Sequence, residues 1–286
     1  MKTSGTSASL GLLAAVTWGG SDFAGGVGAR SAPALLVAAS GQIFSLLALF
    51  ALCMGLHLAA PGTHYLLYAA LGGFEGALAL ALLYRALAMG AMGLTAALTG
   101  LLTALVPTVY SALHYGLPAP LTAMGLAAGC TAIWLITHQP SAKRGGPGAI
   151  ATPPAALLLG ALAGIGFGAQ LILFKMAGGG GMLWIMTAAR AAGIAALALV
   201  ILIMPPQKPW QGFWLAGIVS GALDTVGNLF YIRAAQLGRL DVAAVICSLY
   251  PAGTILLAAV ALHERPTRRQ MAGMAVALAA VALLSL

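Results

Sequence analysis

Short polar breaks cut the sequence into ten apolar runs, each close to the roughly 20 residues a helix needs to cross a bilayer. They extend from Ala8 to Val27, Ala34 to Leu56, Tyr65 to Ala88, Met92 to Tyr115, Leu121 to Thr137, Pro154 to Met176, Met182 to Met204, Trp210 to Gln236, Asp241 to His263 and Thr267 to Leu284. Of the 286 residues only 6% are charged, where a soluble domain carries roughly a quarter. Five acids and thirteen bases cannot give a chain of this length a soluble surface, so an all-α integral membrane protein surrounded by lipid is expected. The opening "MKTSGTSASLGLLAAVTWGG" has the basic and apolar make-up of a signal peptide. Further spans follow it at once, and it reads as an uncleaved first span.

The net charge of +8 does not point to nucleic acid, because the bases lie singly or in short clusters between apolar runs and no face interleaves them with aromatics. Cys53, Cys130 and Cys247 fall far apart in apolar runs and read as small hydrophobes, neither a disulfide framework nor a metal site.

The longest polar connection, "HQPSAKRGGPGAIATP" from His138 to Pro153, divides the runs five and five. Sliding the second half onto the first so that Arg233 meets Arg85 (233 − 85 = 148) also aligns Ala86 with Ala234, Gly90 with Gly238, Ala96 with Ala244, Pro118 with Pro266 and Gly125 with Gly273. In the first spans an offset of 149 aligns Gly11 with Gly160 and Gly19 with Gly168. A duplicated unit of five helices enters the membrane upside down the second time. The expected fold is therefore ten transmembrane helices as two inverted five-helix repeats, residues 1–140 and 154–286, joined by a polar linker at 141–153. Secondary transporters built this way hold their substrate near the midplane, between the repeats.

Two acids stand in mid-span. Glu75 lies in "LGGFEGALALALLYRALAMG" and Asp224 in "SGALDTVGNLFYIR". At an offset of 149 they are repeat mates; at 148 Leu223 would be the mate of Glu75. A carboxyl at that depth is costly, which makes both candidates for a central site that carries a proton or a substrate ammonium. The bland alternative is a protonated side chain bonded to a neighbouring helix.

Ser220, Asp224, Asn228 and Tyr231 recur at steps of four, four and three and form one stripe, suited to a cavity wall or to bonds across a helix interface. Trp18, Ser21 and Asp22 share a face of the first span, with Asp22 placed either in the cavity or as a cap for the loop before Arg30. Gln170 and Lys175 come late in the sixth span; Gln170 is a candidate cavity residue, and Lys175 is expected to snorkel to water. Arg190, at least two turns inside the seventh span, needs a partner among Asp22, Glu75 and Asp224, or else a substrate carboxylate. Thr95, Thr99 and Thr103 are expected to bond their own helix backbone. Pro107 and Pro251 should kink the fourth and ninth spans, and Tyr250 beside the second kink is a candidate cavity aromatic. Gly72 with Gly76, Gly160 with Gly164 and Gly217 with Gly221 have the spacing of close-packing surfaces.

All five histidines sit in loops or at span ends, and the sequence has no H-E-x-x-H, Walker A loop or mid-membrane Ser-His pair. No catalytic residue, metal or cofactor is therefore expected. A membrane-embedded transferase or lipid-modifying enzyme would lack its constellation.

"TWGGSDFAGG" (17 to 26), "LYRALAMGAMGLTAAL" (83 to 98) and "CSLYPAGTILLAAVALHERPTRRQMAGM" (247 to 274) resemble the first-span motif and the two hairpins of the EamA-type members of the drug/metabolite transporter superfamily. The last is the most specific: Glu264, Arg265, Pro266, Thr267, Gln270 and Gly273 occupy the GERxT..Q..G pattern, with His263 in place of its glycine. The first half keeps Pro118 and Gly125 but has Gly116 where the acid would stand, so a helix-end or loop-bonding role is the safer assignment for Glu264.

The resemblance implies a two-by-five bundle with a central cavity, ATP-independent transport of small organic metabolites, commonly export, and cytoplasmic termini in a cell (inner) membrane. The charges point the other way. With cytoplasmic termini the inside would hold Lys2, Lys175, Arg233 and Arg239, and the outside Arg30, Arg85, Lys143, Arg144, Lys208, Arg265, Arg268 and Arg269, the reverse of the positive-inside rule. The expected function is alternating-access transport of a small polar or zwitterionic metabolite by a monomer rather than an obligate dimer. Glu75 and Asp224 would hold a proton or ammonium, Arg190 a carboxylate, and Trp18 and Tyr250 the apolar part. The runner-up is a drug or organic-cation exporter, which needs the acids and aromatics but not Arg190.

Overall fold

The loop signals become helix boundaries. The computed structural model describes residues 2–89, 92–137, 153–206, 212–262 and 268–285, and no strand occurs among them. The helices are α1 (Lys2–Ser31), α2 (Ala34–Gly55), α3 (Thr63–Met89), α4 (Met92–Tyr115), α5 (Pro120–Thr137), α6 (Pro154–Met176), α7 (Met182–Ile203), α8 (Phe213–Leu237), α9 (Leu240–Cys247), α10 (Tyr250–Ala261) and α11 (Arg268–Ser285). Most of the linker, at 138–152, and most of the "HERPT" motif, at 263–267, lie outside the described residues. Among those described, six segments are long and apolar enough to cross a membrane: α2, α3, α6, α7, α8 and the stretch Leu240–Ala261 that holds α9 and α10. Large apolar side chains such as Leu113, Leu202 and Val260 face outward, where lipid and not water can accept them. The chain is an all-helical, multi-pass membrane protein.

Two boundaries differ from expectation in ways that bear on the site, the end of α1 and a break in the ninth run. The first helix runs on to Ser31, which leaves Asp22 well inside it and removes the loop-capping role. Pro107 sits inside an uninterrupted α4. At Pro251 the ninth run breaks instead: α9 ends at Cys247, Ser248 and Leu249 form a turn, and Pro251 falls in the first turn of α10, where its missing N–H costs no hydrogen bond.

Close helix crossings are made by glycine. A Cβ on Gly41 of α2 would stand 2.6 Å from the Gly217 carbonyl and 3.0 Å from the Gly221 Cα of α8. A Cβ on Gly73 of α3 would overlap the backbone of Ala189 in α7. Backbones this close make extensive van der Waals contact, the main attraction left between helices when lipid replaces water. The most extensive packing is α1 on α8, α3 on α6 and α5 on α11.

One end of the bundle is tied by polar bonds. Ser7 Oγ, in the second turn of α1, donates to the Ala234 carbonyl at 2.8 Å. Lys175 Nζ, expected to reach water, donates instead to the carbonyls of Ala235 and, at 3.3 Å, Gly238, where the unpaired carbonyls at the end of α8 favour a cation. Trp184 Nε1 in the first turn of α7 donates to Leu58 O just after α2, at 3.0 Å. The start of α1 thus lies at the same end as the finish of α6 and of α8, so α1 and α6 run in opposite directions through the bundle.

Candidate functional site

Arg190 organises the centre. Its Nη2 lies 2.6 Å from Asp224 Oδ2, and its Nη1 donates to Gln42 Oε1 at 3.1 Å. Asn228, one turn along α8, donates from Nδ2 to Asp224 Oδ1 at 3.1 Å and to the Asp224 carbonyl at 2.8 Å. Of the three acids open to Arg190 from the sequence, Asp224 is the partner. Gln42 is a member of the site that sequence reasoning missed.

A cleft with about 370 Å³ of empty space, part of it open to the outside, lies beside this pair. Asp22, Thr103, Gln170, Asp224 and Asn228 supply its polar lining, Trp18, Phe167 and Tyr250 its rings, and Leu80 and Leu171 its aliphatic wall. The lining comes from α1, α3, α4, α6, α8 and α10. Trp18 and Tyr250 meet edge-on, with ring centroids 6.3 Å apart. Four buried polar atoms on this lining have no hydrogen-bond partner among the described residues: Trp18 Nε1, Asp22 Oδ2, Asn228 Oδ1 and Tyr250 Oη. Buried polar atoms are normally satisfied, so the unpaired ones clustered here leave the cavity with unmet hydrogen-bonding capacity.

The α8 stripe divides between two tasks. Asp224 and Asn228 line the cavity. Ser220 is drawn into a hydroxyl cluster with Ser21 and Tyr84: Ser21 Oγ donates to the Ser220 carbonyl at 2.9 Å, and the Tyr84 and Ser220 hydroxyls are bonded. Tyr231 is fully buried and donates to the Leu171 carbonyl at 2.7 Å, joining α8 to α6 under the Trp18 ring. Ser220 and Tyr231 therefore lie at helix interfaces, off this lining, and Ser220 borders a second, smaller cleft with Gln42, Arg190 and Asp224. Gln170 does both, lining the cavity while its Nε2 donates to the Gly72 carbonyl at 3.0 Å. Thr99 and Thr103 bond their own helix as expected, and also reach the carbonyls of Gly160 and Gly164 in α6, at 2.9 and 3.4 Å.

Glu75 is not on the cavity lining. Its carboxylate rests between α3 and α6, where a Cβ on Gly166 would stand 2.6 Å from Oε1, and its Oε2 has no hydrogen-bond partner among the described residues. The reason is register. The bond from Ser21 to Ser220 O has a counterpart from Gln170 to Gly72 O, at offsets of 149 in α1/α6 and 148 in α3/α8. The Gly41–Gly221 crossing has its counterpart in Ala189–Gly73, both shifted by 148, and Gln42 and Arg190 are themselves 148 apart. At 148 the counterpart of Asp224 is Gly76, and that of Glu75 is Leu223. Of the two registers the sequence leaves open, these contacts follow 148 in α3 and α8, where Glu75 and Asp224 are not mates, and one residue turns a helix by about 100°.

No curated protein matches the chain in sequence. A protein known from a crystal structure superposes with a TM-score of 0.72 over 97% of this chain and 95% of its own, at 18% identity, a likeness of fold. Residues 154–286 match the EamA-like transporter family. That stretch, from α6 through α11, is the part of the chain that the EamA-like transporters of the drug/metabolite transporter superfamily account for.

Proposed function

We propose that the protein is a secondary transporter that moves a small polar organic metabolite across the cell membrane by alternating access, as an exporter or exchanger, without ATP. The observation that carries this is the cavity: a partly open space between helices of both halves, bordered by four unpaired buried polar atoms. Small-molecule sites of this kind combine an apolar wall with a few placed polar groups.

The accompanying architecture is ten membrane-crossing helices in two inverted sets, residues 1–140 and 154–286. It is supported by the opposite directions of α1 and α6 and by contacts that recur at offsets of 148 and 149. In such a bundle, rocking one half against the other exposes one midplane site to each side in turn. Proton coupling falls to Asp224, whose bond to Arg190 would open during the cycle; Glu75, outside the cavity, serves the packing of α3 on α6.

Counterflow in proteoliposomes tests the proposal. Vesicles preloaded with an unlabelled solute should draw in the labelled form above equilibrium, with no ATP and no covalent change in the solute. Chemical conversion, or no movement across a panel of amines, amino acids and nucleobases, would count against transport.

A further inference from the structure

The cavity region holds two carboxyl groups and one guanidinium, and the geometry divides them unequally. Arg190 spends one amino nitrogen on Asp224 at 2.6 Å and the other on Gln42 at 3.1 Å, while the second oxygen of Asp224 accepts from Asn228 at 3.1 Å. That pair sets one positive group against one negative. Asp22 is 5% exposed and has no ion-pair partner among the described residues; its Oδ2 borders the cavity with nothing bonded to it. Lys175 is held at the end of the bundle by the carbonyls of Ala235 and Gly238 and cannot serve it. A buried carboxylate without a partner is strongly disfavoured until a cation or a proton meets it.

The surroundings specify the cation further. Trp18 lies one turn before Asp22 on α1, with Tyr250 edge-on to its indole and Phe167 on the same lining. Aromatic faces around a single carboxylate suit an organic cation, which gains from the ring quadrupoles as well as from the charge. Asn228 Oδ1 can accept a second N–H from the guest, and Trp18 Nε1 and Tyr250 Oη can each donate to one acceptor on it. A carboxylate on the guest would meet only these neutral donors, because Arg190 is not on the cavity lining and its Nη2 points to Asp224.

We propose that Asp22 selects the solute, and that the solute is a small organic monocation: an ammonium group on an aromatic or compact apolar body, carrying no carboxylate. The inference rests on the transport function assigned to the same cavity, and favours the organic-cation class over the zwitterionic one.

Three ligands with one body separate the charge types: phenethylamine, phenylalanine and phenethyl alcohol, each titrated calorimetrically into the purified full chain at neutral pH. The amine should bind about thirtyfold or more tightly than either of the others, the scale expected for a desolvated charge pair. Asp22→Asn should abolish that preference while the protein stays monodisperse. Phenylalanine binding as tightly as the amine, no binding of the amine, or a preference that survives Asp22→Asn would overturn the assignment. A second measurement needs no variant. Labelling of Asp22 by a membrane-permeant carbodiimide, read by peptide mass, should fall in the presence of phenethylamine but not of phenethyl alcohol, and equal labelling would overturn it too. Selective binding of the amine without flux in proteoliposomes would sink transport alone. Flux of a zwitterion through a protein indifferent to the amine would sink the monocation alone.

Discussion

Gln42 and Arg190 stand 148 positions apart and meet through a 3.1 Å hydrogen bond from Nη1 to Oε1, joining α2 to α7 at the centre of the bundle. The same guanidinium holds Asp224 of α8, so three helices converge on one side chain. These contacts support the structural role for Arg190, one of the two that its isolation in the sequence leaves open.

Arg190→Gln should therefore lower stability, by roughly 3–5 kcal/mol, because it strands the buried Asp224 carboxylate. Unfolding in detergent measures this. Adding Asp224→Asn should recover part of the loss, since the two residues share one interaction and their effects are not additive. A double variant as unstable as the sum of its parts would show that the pair is not coupled.

Asp224→Asn alone keeps the shape of the side chain but cannot titrate. Accumulation driven by a proton gradient should stop, while exchange of solute between two equal-pH compartments should continue. Parental accumulation in this variant would remove Asp224 from the coupling step.

Glu75→Gln should leave exchange close to parental between about pH 5 and pH 8, the span in which a coupling group would act. Its carboxylate lies against Gly166 and off the cavity wall. A pH profile shifted by this substitution would place a working proton site between α3 and α6.

The glycine crossings allow a paired test. Gly41→Ala drives a Cβ to 2.6 Å from the Gly217 carbonyl and should cost about 1–3 kcal/mol, as overpacking does. Gly5→Ala meets nothing within 4 Å in the first turns of α1 and should be neutral or stabilising by up to about 1 kcal/mol. Thermal shifts of opposite sign are the expected result.

Helix positions were legible because each boundary carries its own chemistry: Pro33 opens α2, Pro153 precedes α6, and Gly181, at φ 77°, enters the left-handed region just before α7. Charged residues were legible as a set, since lipid forces them to find partners. Which partner was harder. Gln42 is neutral and stands in an apolar run, so nothing in its neighbourhood marks it as an arginine's acceptor. Asp22 was ambiguous because the end of α1 is four residues later than the hydropathy suggested, and the place of Glu75 stayed open because small apolar residues fix the repeat register only to within one position. The wall residues Phe167, Leu80 and Leu171 resemble any others of a buried helix until the fold brings them together.

The interruption at Ser248 and Leu249 gives the two halves unlike mechanics. The fourth helix is continuous through Pro107, while its counterpart at the repeat offset is two short helices with a turn between them, and Tyr250 sits on the first turn beyond that break. In the proposed alternating-access cycle, two identical halves would trade places at no cost and populate the inward- and outward-open forms equally. A continuous helix and a broken one would not exchange shapes for free, so under that proposal the two forms would differ in energy and the empty protein would favour one side until a bound solute offset the difference.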